Sequence, residues 1–104
     1  MILRVWRGWT SPDNAAAYEA FLRDEMFPHI YAQSIAGFHG IRLLRLDGPD
    51  EAEFMTIMRF DSIEAIKAFA GERYEEAVIL PKAHALFTRF EERARHYEER
   101  ISEA

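Results

Sequence analysis

The four histidines are the side chains best suited to proton transfer, because the reference pKa of histidine lies close to neutrality. His84, which comes after a helical segment, is the best candidate for a general base, and His39 is the second. Each could instead be a partly exposed histidine with no catalytic role. The other two, His29 and His96, are better explained as surface or interface groups.

The sequence argues against the common metal, thiol and nucleotide sites. There is no cysteine, and no two histidines follow the HxxxH or HxH spacing of a structural metal site, so we expect no metal and no cofactor. The glycines form no phosphate-binding pattern, and no nucleotide fingerprint, serine elbow or Walker motif is present.

Aromatic and apolar side chains could form the walls of a pocket for a small hydrophobic molecule. The chain has eight Phe, four Tyr and two Trp. Side chains at helix or strand spacing are more often core residues, and that alternative stays open for each of them. The candidate substrate-binding residues are Trp6, Trp9, Tyr18, Phe21, Phe54, Met58 and Tyr74.

Two arginines lie among apolar neighbours on predicted strands. Arg7 and Arg42 could each bind a ligand carboxylate through the guanidinium group. Alternatively, each could form an ion pair at the seam between two subunits, with Glu53 or Glu91 as the partner.

Composition limits the classes of partner. A chain of 104 residues, 49% of them hydrophobic, predicts a single domain over residues 1–104 with a frayed tail at 101–104. The net charge of −5 argues against binding to nucleic acid or to an anionic membrane surface. Charges interrupt the apolar N-terminal stretch, so we expect neither a signal peptide nor a spanning helix, and a cytoplasmic protein.

The elements that position these side chains are organised around residues 60–81. This stretch predicts the end of a strand, a helix capped by Asp61 or Ser62 with Glu64 as the capping-box carboxylate, a stop at Gly71 and a second short helical segment. A helix capped by Ser11 should end near residue 26, before Pro28, with a turn or two possible over 29–35. The predicted strands are 2–9, 38–46, 53–60 and 86–97.

This order predicts an α+β fold of the ferredoxin-like β-α-β-β-α-β plan, with an antiparallel sheet and both helices on one side. The strands are apolar on both faces, while the helices cover only one. A second copy of the chain, packed through the open face of the sheet, is therefore the expected partner.

Three stretches resemble the antibiotic biosynthesis monooxygenase (ABM)-like proteins of the dimeric α/β-barrel superfamily. They are a first strand of the form IxRxWRG, the run FDSIEAIKAFAGERYEEAVILP and the terminal HYE, and the likeness covers residues 2–98. It is strongest to a short bacterial branch that ends H-Y-E. The resemblance implies a dimer whose two sheets close into a barrel, with a pocket in each subunit between its helices and its sheet.

The resemblance leaves the activity open, because relatives oxidise polyketide-like aromatics without a cofactor, degrade haem or have no known activity. The polar residues of the catalytic types are largely missing. The only asparagine, Asn14, lies at a helix start. Tyr74 stands ten positions before His84, where haem-degrading relatives have a tryptophan.

Three functions are therefore expected in order. The first is a cofactor-independent monooxygenase acting on a small hydrophobic aromatic compound. The second is a non-catalytic module that binds a small molecule or another protein on the same dimeric fold. The third is haem binding or degradation.

Overall fold

The computed structural model describes residues 1–104 and shows one antiparallel sheet with helices against it. The strands are β1 (Ile2–Thr10), β2 (Phe38–Asp47), β3 (Ala52–Phe60), β4 (Phe87–Phe90) and β5 (Arg95–Glu98). The helices are α1 (Pro12–Phe21), α2 (Phe27–Ala32), α3 (Ile63–Ala70) and the single turn α4 (Pro81–His84), and a π-helical turn (Leu22–Met26) joins α1 to α2.

The sheet has the strand order β2-β3-β1-β4, and β5 also pairs with β1. All its pairings are antiparallel. β1 is therefore central, with β3 along one edge and the two short strands along the other. This order confirms the predicted α+β, ferredoxin-like fold.

The last strand differs from the prediction, because residues 86–97 form two short strands and not one. Between them the backbone N–H of Glu91 donates to the Arg7 carbonyl at 3.0 Å, and the N–H of Ala94 donates to the Glu75 carbonyl at 2.8 Å. The N–H of Ala77 likewise donates to the Glu92 carbonyl at 2.9 Å. Glu91 thus still bonds to β1, whereas residues 92–94 leave β1 and pair with residues 75–77, and the strand breaks there.

The predicted helix end near Met26 is wrong, because helical structure runs without a break from Pro12 to Ala32, although the extra turn allowed over 29–35 is present. The backbone N–H of Phe27 bonds to the Leu22 carbonyl, five residues back, and α2 then continues to Ala32. A proline inside a regular helix clashes with the carbonyl four residues before it. The wider π-helical turn directly before Pro28 changes that spacing and lets the helix continue.

The second predicted helix is present, with two corrections. Ser62 is the N-cap, accepting a hydrogen bond from the Ala65 N–H at 3.2 Å, so Glu64 is one position too early to form the capping box. Gly71 ends the helix with a φ of +87°, as expected of a glycine stop. The segment after it consists of turns and extended chain, and helical structure resumes only at Pro81.

The helices cover one face of the sheet, and the core lies between them. One buried cluster packs α1 against β3 and a second packs α2 and α3 against the other end of β3. The opposite face of the sheet carries exposed apolar side chains, among them Leu44, Leu46 and Tyr97. None of the helices has the length and apolar character needed to cross a membrane.

Candidate functional site

A small apolar cavity lies between the helices and the sheet, next to the centre of β1. About 40 Å³ of it is open to the centre of a water-sized sphere. Its lining comes from the sheet, from α1 and the π-helical turn, from the end of α3 and from the segment leading into α4. The lining residues are Arg4, Trp6, Tyr18, Leu22, Met26, Ile41, Thr56, Met58, Phe69, Val78, Ile79, Leu80, Ala83 and Phe87.

The size of the cavity limits what it holds in this conformation. One water needs about 10–15 Å³ by this measure, whereas a cavity that binds benzene is about 150 Å³. An aromatic ligand therefore requires one wall to move. The wall best able to do so is the segment Val78–Leu80, which has no regular structure and whose Val78 and Leu80 are each 36% exposed.

The sheet side of the cavity depends on the alternation of side chains along β1. Arg4 and Trp6 point toward the helices, while their neighbours on β1 point to the opposite face of the sheet. Gly8 continues the same row, and the rings of Trp6 and Phe87 occupy the space where a Cβ would be: it would lie 2.7 Å from Trp6 Cη2 and 2.6 Å from Phe87 Cε1. Glycine at this position allows the two aromatic rings to meet edge to face, with their centroids 5.5 Å apart.

Arg4 is a charged side chain on this apolar wall, and it is 3% exposed. Its guanidinium donates to the backbone carbonyls of Tyr74 and Glu76, the latter at 2.9 Å, and lies 3.0 Å from His96 Nε2. The Phe69 ring covers it at 5.6 Å. Arg4 therefore connects β1 to the segment that precedes Val78–Leu80 and to β5.

No carboxylate pairs with Arg4, because none of the ion pairs in the structure includes it. Burial alone lowers the pKa of the Arg4 guanidinium to about 10, so the group is still protonated at neutral pH. A buried positive charge is costly unless it is paired. Here the carbonyls of Tyr74 and Glu76 and the face of the Phe69 ring offset part of the cost of burying this charge.

No general base lines the cavity. Apart from Arg4, its one ionisable lining residue is Tyr18, and burial raises the pKa of that hydroxyl above its usual range. The phenol is therefore neutral at physiological pH. The Tyr18 ring is fixed by edge contacts with Phe54 and Phe87, at centroid distances of 4.9 and 4.8 Å.

The structure brings three of the seven candidate substrate-binding residues together at the cavity: Trp6, Tyr18 and Met58. Phe21 and Phe54 belong to the core cluster beside it. Tyr74 contributes its backbone carbonyl to Arg4, while its ring meets His96 edge to face at 5.2 Å. Trp9 lies on the opposite face of the sheet, where the Arg89 guanidinium stacks 3.9 Å from its ring.

The two candidate catalytic histidines lie outside the cavity. His84, at the end of α4, is exposed and contacts the Phe90 ring edge to face at 5.4 Å, although the preceding Ala83 lines the cavity. His39 is exposed and lies 2.7 Å from the Asp61 carboxylate. Catalytic roles for these histidines stay predictions. No three histidine, aspartate or glutamate side chains come together as a metal site.

Of the two arginines singled out from the sequence, Arg7 pairs with Glu91 at 3.1 Å, and that carboxylate raises the pKa of Arg7. Arg42 is exposed on β2. The sequence reasoning did not single out Arg4, the buried arginine that lines the cavity. The strand pattern does place Arg4 on the same face of β1 as Ile2 and Trp6, which indicates a buried arginine. Its hydrogen-bond partners come from residues 74–96, however, and a local pattern cannot show them.

The comparisons with known proteins bear on the fold. No family model matches the chain, and no curated protein matches it. Among solved structures it is similar to that of a Bacillus cereus protein named as a candidate antibiotic biosynthesis monooxygenase, with a TM-score of 0.63 and 14% sequence identity. The match covers 99% of this chain and 94% of that one, so the two share the whole fold.

Proposed function

We propose that this chain is an ABM-like protein that binds a compact apolar molecule in the cavity between its helices and its sheet. The observation that carries the proposal is the partly open apolar space walled by Trp6, Met58 and Phe69, with the segment Val78–Leu80, which has no regular secondary structure, on one side. Small-molecule sites are typically concave and apolar, with a few polar groups that fix orientation. Arg4, Tyr18 and Thr56 supply those polar groups here.

Calorimetric titration and thermal unfolding with a panel of small neutral aromatics test this proposal. A ligand present at a hundred times its Kd should stabilise the fold by about 2.7 kcal/mol. Val78→Phe should abolish binding, because the larger ring fills the cavity from its most exposed wall. Ile101→Phe is the matched control, since residue 101 is 81% exposed and is not part of the lining. Binding that survives Val78→Phe unchanged would refute the assignment to this cavity.

Oxygenation of the bound molecule is a second candidate, favoured by the likeness to the Bacillus cereus protein. In a reaction without a cofactor, one atom of dioxygen enters the substrate and the other leaves as water, and the substrate supplies the electrons. The reacting form is then an electron-rich anion such as a phenolate. A buried cation such as Arg4 would lower the pKa of the phenol and stabilise that anion, so that water can accept the phenol proton although no base lines the cavity.

Oxygen uptake with a panel of phenols and hydroquinones, corrected for their autoxidation, tests this candidate. Turnover should disappear in Val78→Phe. His84→Ala and His39→Ala test the predicted catalytic histidines, which lie outside the cavity lining, and turnover that survives in both variants would refute those roles. Uptake no faster than autoxidation across the panel, with binding retained, would leave a non-catalytic binding protein.

We also propose that two copies pack through the open face of the sheet. Leu46 is 66% exposed on this face and Leu44 is 48% exposed, and both belong to the edge strand β2. Alternation places Leu3, Val5 and Trp9 of β1 on the same face. An apolar sheet face of this kind favours association.

A further inference from the structure

Two of the N–H groups of the Arg4 guanidinium make no hydrogen bond within the chain. A guanidinium has five N–H groups, and the hydrogen bonds to Tyr74, Glu76 and His96 use three of them, which leaves two. The Nε–H makes none of these bonds. Every fully buried side-chain nitrogen in the structure has a hydrogen-bond partner. The Arg4 Nε has no partner, so part of its surface must be exposed. The open space that Arg4 lines is the cavity.

The surroundings of Arg4 favour an anion from outside the chain. Every other residue in the lining is uncharged at neutral pH, and no carboxylate of the chain pairs with the guanidinium. In such a setting a carboxylate would gain charge-assisted hydrogen bonds that water screens only weakly. A neutral ligand would leave the charge as it is.

We propose that the ligand of this cavity is an apolar ring carrying one carboxylate, with its carboxylate oxygens on the free N–H groups of Arg4. This proposal rests on the proposed function, since it names the chemical class of the molecule bound at the same site. Once the Val78–Leu80 wall has moved outward, the ring occupies the space between Trp6, Tyr18 and Phe69. The two backbone carbonyls offset only part of the cost of burying the positive charge of Arg4. The ligand carboxylate supplies the missing negative charge.

Matched pairs of acids and amides test the proposal on the unmodified protein. Benzoate with benzamide, and 1-naphthoate with 1-naphthamide, have nearly the same shape and differ in charge. In calorimetric titrations at pH 7 each carboxylate should bind at least tenfold more tightly than its amide. The Arg4 Nε–H signal in a ¹⁵N correlation spectrum should shift with the carboxylate only.

A charge-conserving variant then locates the effect. Arg4→Lys keeps the positive charge but loses the planar donor pair, so the preference for the carboxylate should fall at least fivefold. Arg42→Lys is the matched control, because Arg42 is exposed on β2 and outside the cavity, and its preference should equal that of the unmodified protein. Circular dichroism checks that both variants fold, and the acid–amide comparison stands without either variant.

The outcomes separate this inference from the proposed function. Equal affinity for acid and amide would overturn the carboxylate assignment and leave the apolar binding site intact. No binding by either member of both pairs would overturn the two together. A tenfold preference that persists in Arg4→Lys and shifts no Arg4 signal would place the anion elsewhere and so also overturn the inference.

Discussion

The indole nitrogen of Trp6 donates a hydrogen bond of 2.6 Å to the backbone carbonyl of Glu91. Trp6 is on the central strand and lines the cavity, while Glu91 lies where the chain leaves that strand between β4 and β5. One side chain therefore forms the wall of the cavity and satisfies a carbonyl at the break in the sheet edge.

Replacement of Trp6 by phenylalanine should lower the free energy of unfolding by about 1–3 kcal/mol, because the Glu91 carbonyl loses its donor. Urea unfolding measures the change. Trp9→Phe removes the same atoms from the opposite face of the sheet, where the indole stacks on Arg89, and should cost less. Equal losses in the two variants would show that the hydrogen bond contributes little.

Acidification should weaken the fold through His96. Burial lowers the pKa of His96 below its ordinary value of 6.5, and the nearby charge of Arg4 lowers it further, with Glu75 opposing. The unfolded chain then binds the proton more readily than the folded one, so this contribution to stability is fully present above pH 6.5 and is lost as the pH falls below it toward the folded pKa.

His96→Gln, which keeps a polar side chain without a titrating ring, should make the stability less dependent on pH in this range. Urea unfolding at pH 7.5 and at pH 5.5 compares the two proteins. The unmodified chain should lose more stability on acidification than the variant. Identical losses would assign the pH dependence to other groups.

Gly8→Ala should destabilise the fold by about 1–3 kcal/mol, because the new methyl group forces the Trp6 and Phe87 rings apart. Gly71→Ala offers a comparison: its φ of +87° is strained for alanine, but no atom lies within 4 Å of the added Cβ. That variant should cost about 1–3 kcal/mol through backbone strain alone, because its ψ of −176° places residue 71 in a region that only glycine adopts readily. Only Gly8→Ala should change the near-ultraviolet circular dichroism of the aromatic rings, and an unchanged spectrum would contradict the crowding at Gly8.

The double variant Leu44→Lys, Leu46→Lys should dissociate the proposed dimer, since it places two charges on the open face of the sheet. Sedimentation equilibrium measures the mass in solution. Tyr31→Lys is the control, because Tyr31 is 53% exposed but lies on α2, on the helix side of the sheet. An unmodified chain that sediments as a monomer would refute the dimer.

Local patterns predicted most of the fold. Strand alternation located the long strands, and the caps at Ser11 and Ser62 located the helix starts. The errors come from non-local effects. The break after Phe90 depends on hydrogen bonds to residues 75–77, and the continuation past Pro28 depends on a π-helical turn for which the sequence gives no periodic signal.

The site was predicted less well than the fold. Bulk and apolarity were enough to identify Trp6, Tyr18 and Met58 as wall residues, because side chains on the covered faces of helix and strand must meet. Arg4 could not be recognised in the same way. Its partners lie 70 to 92 positions away, and its isolation from carboxylates is a property of the assembled chain.

The contacts of Arg4 also set an order for folding during synthesis. The strands β1, β2 and β3 are complete once residue 60 has emerged from the ribosome, yet the carbonyls and the imidazole that receive the Arg4 guanidinium belong to residues 74, 76 and 96. Until those residues emerge, the nascent sheet holds a cation that only water can solvate. The interior next to β1 should therefore stay hydrated until nearly the whole polypeptide has been translated, and dry as the final strand docks.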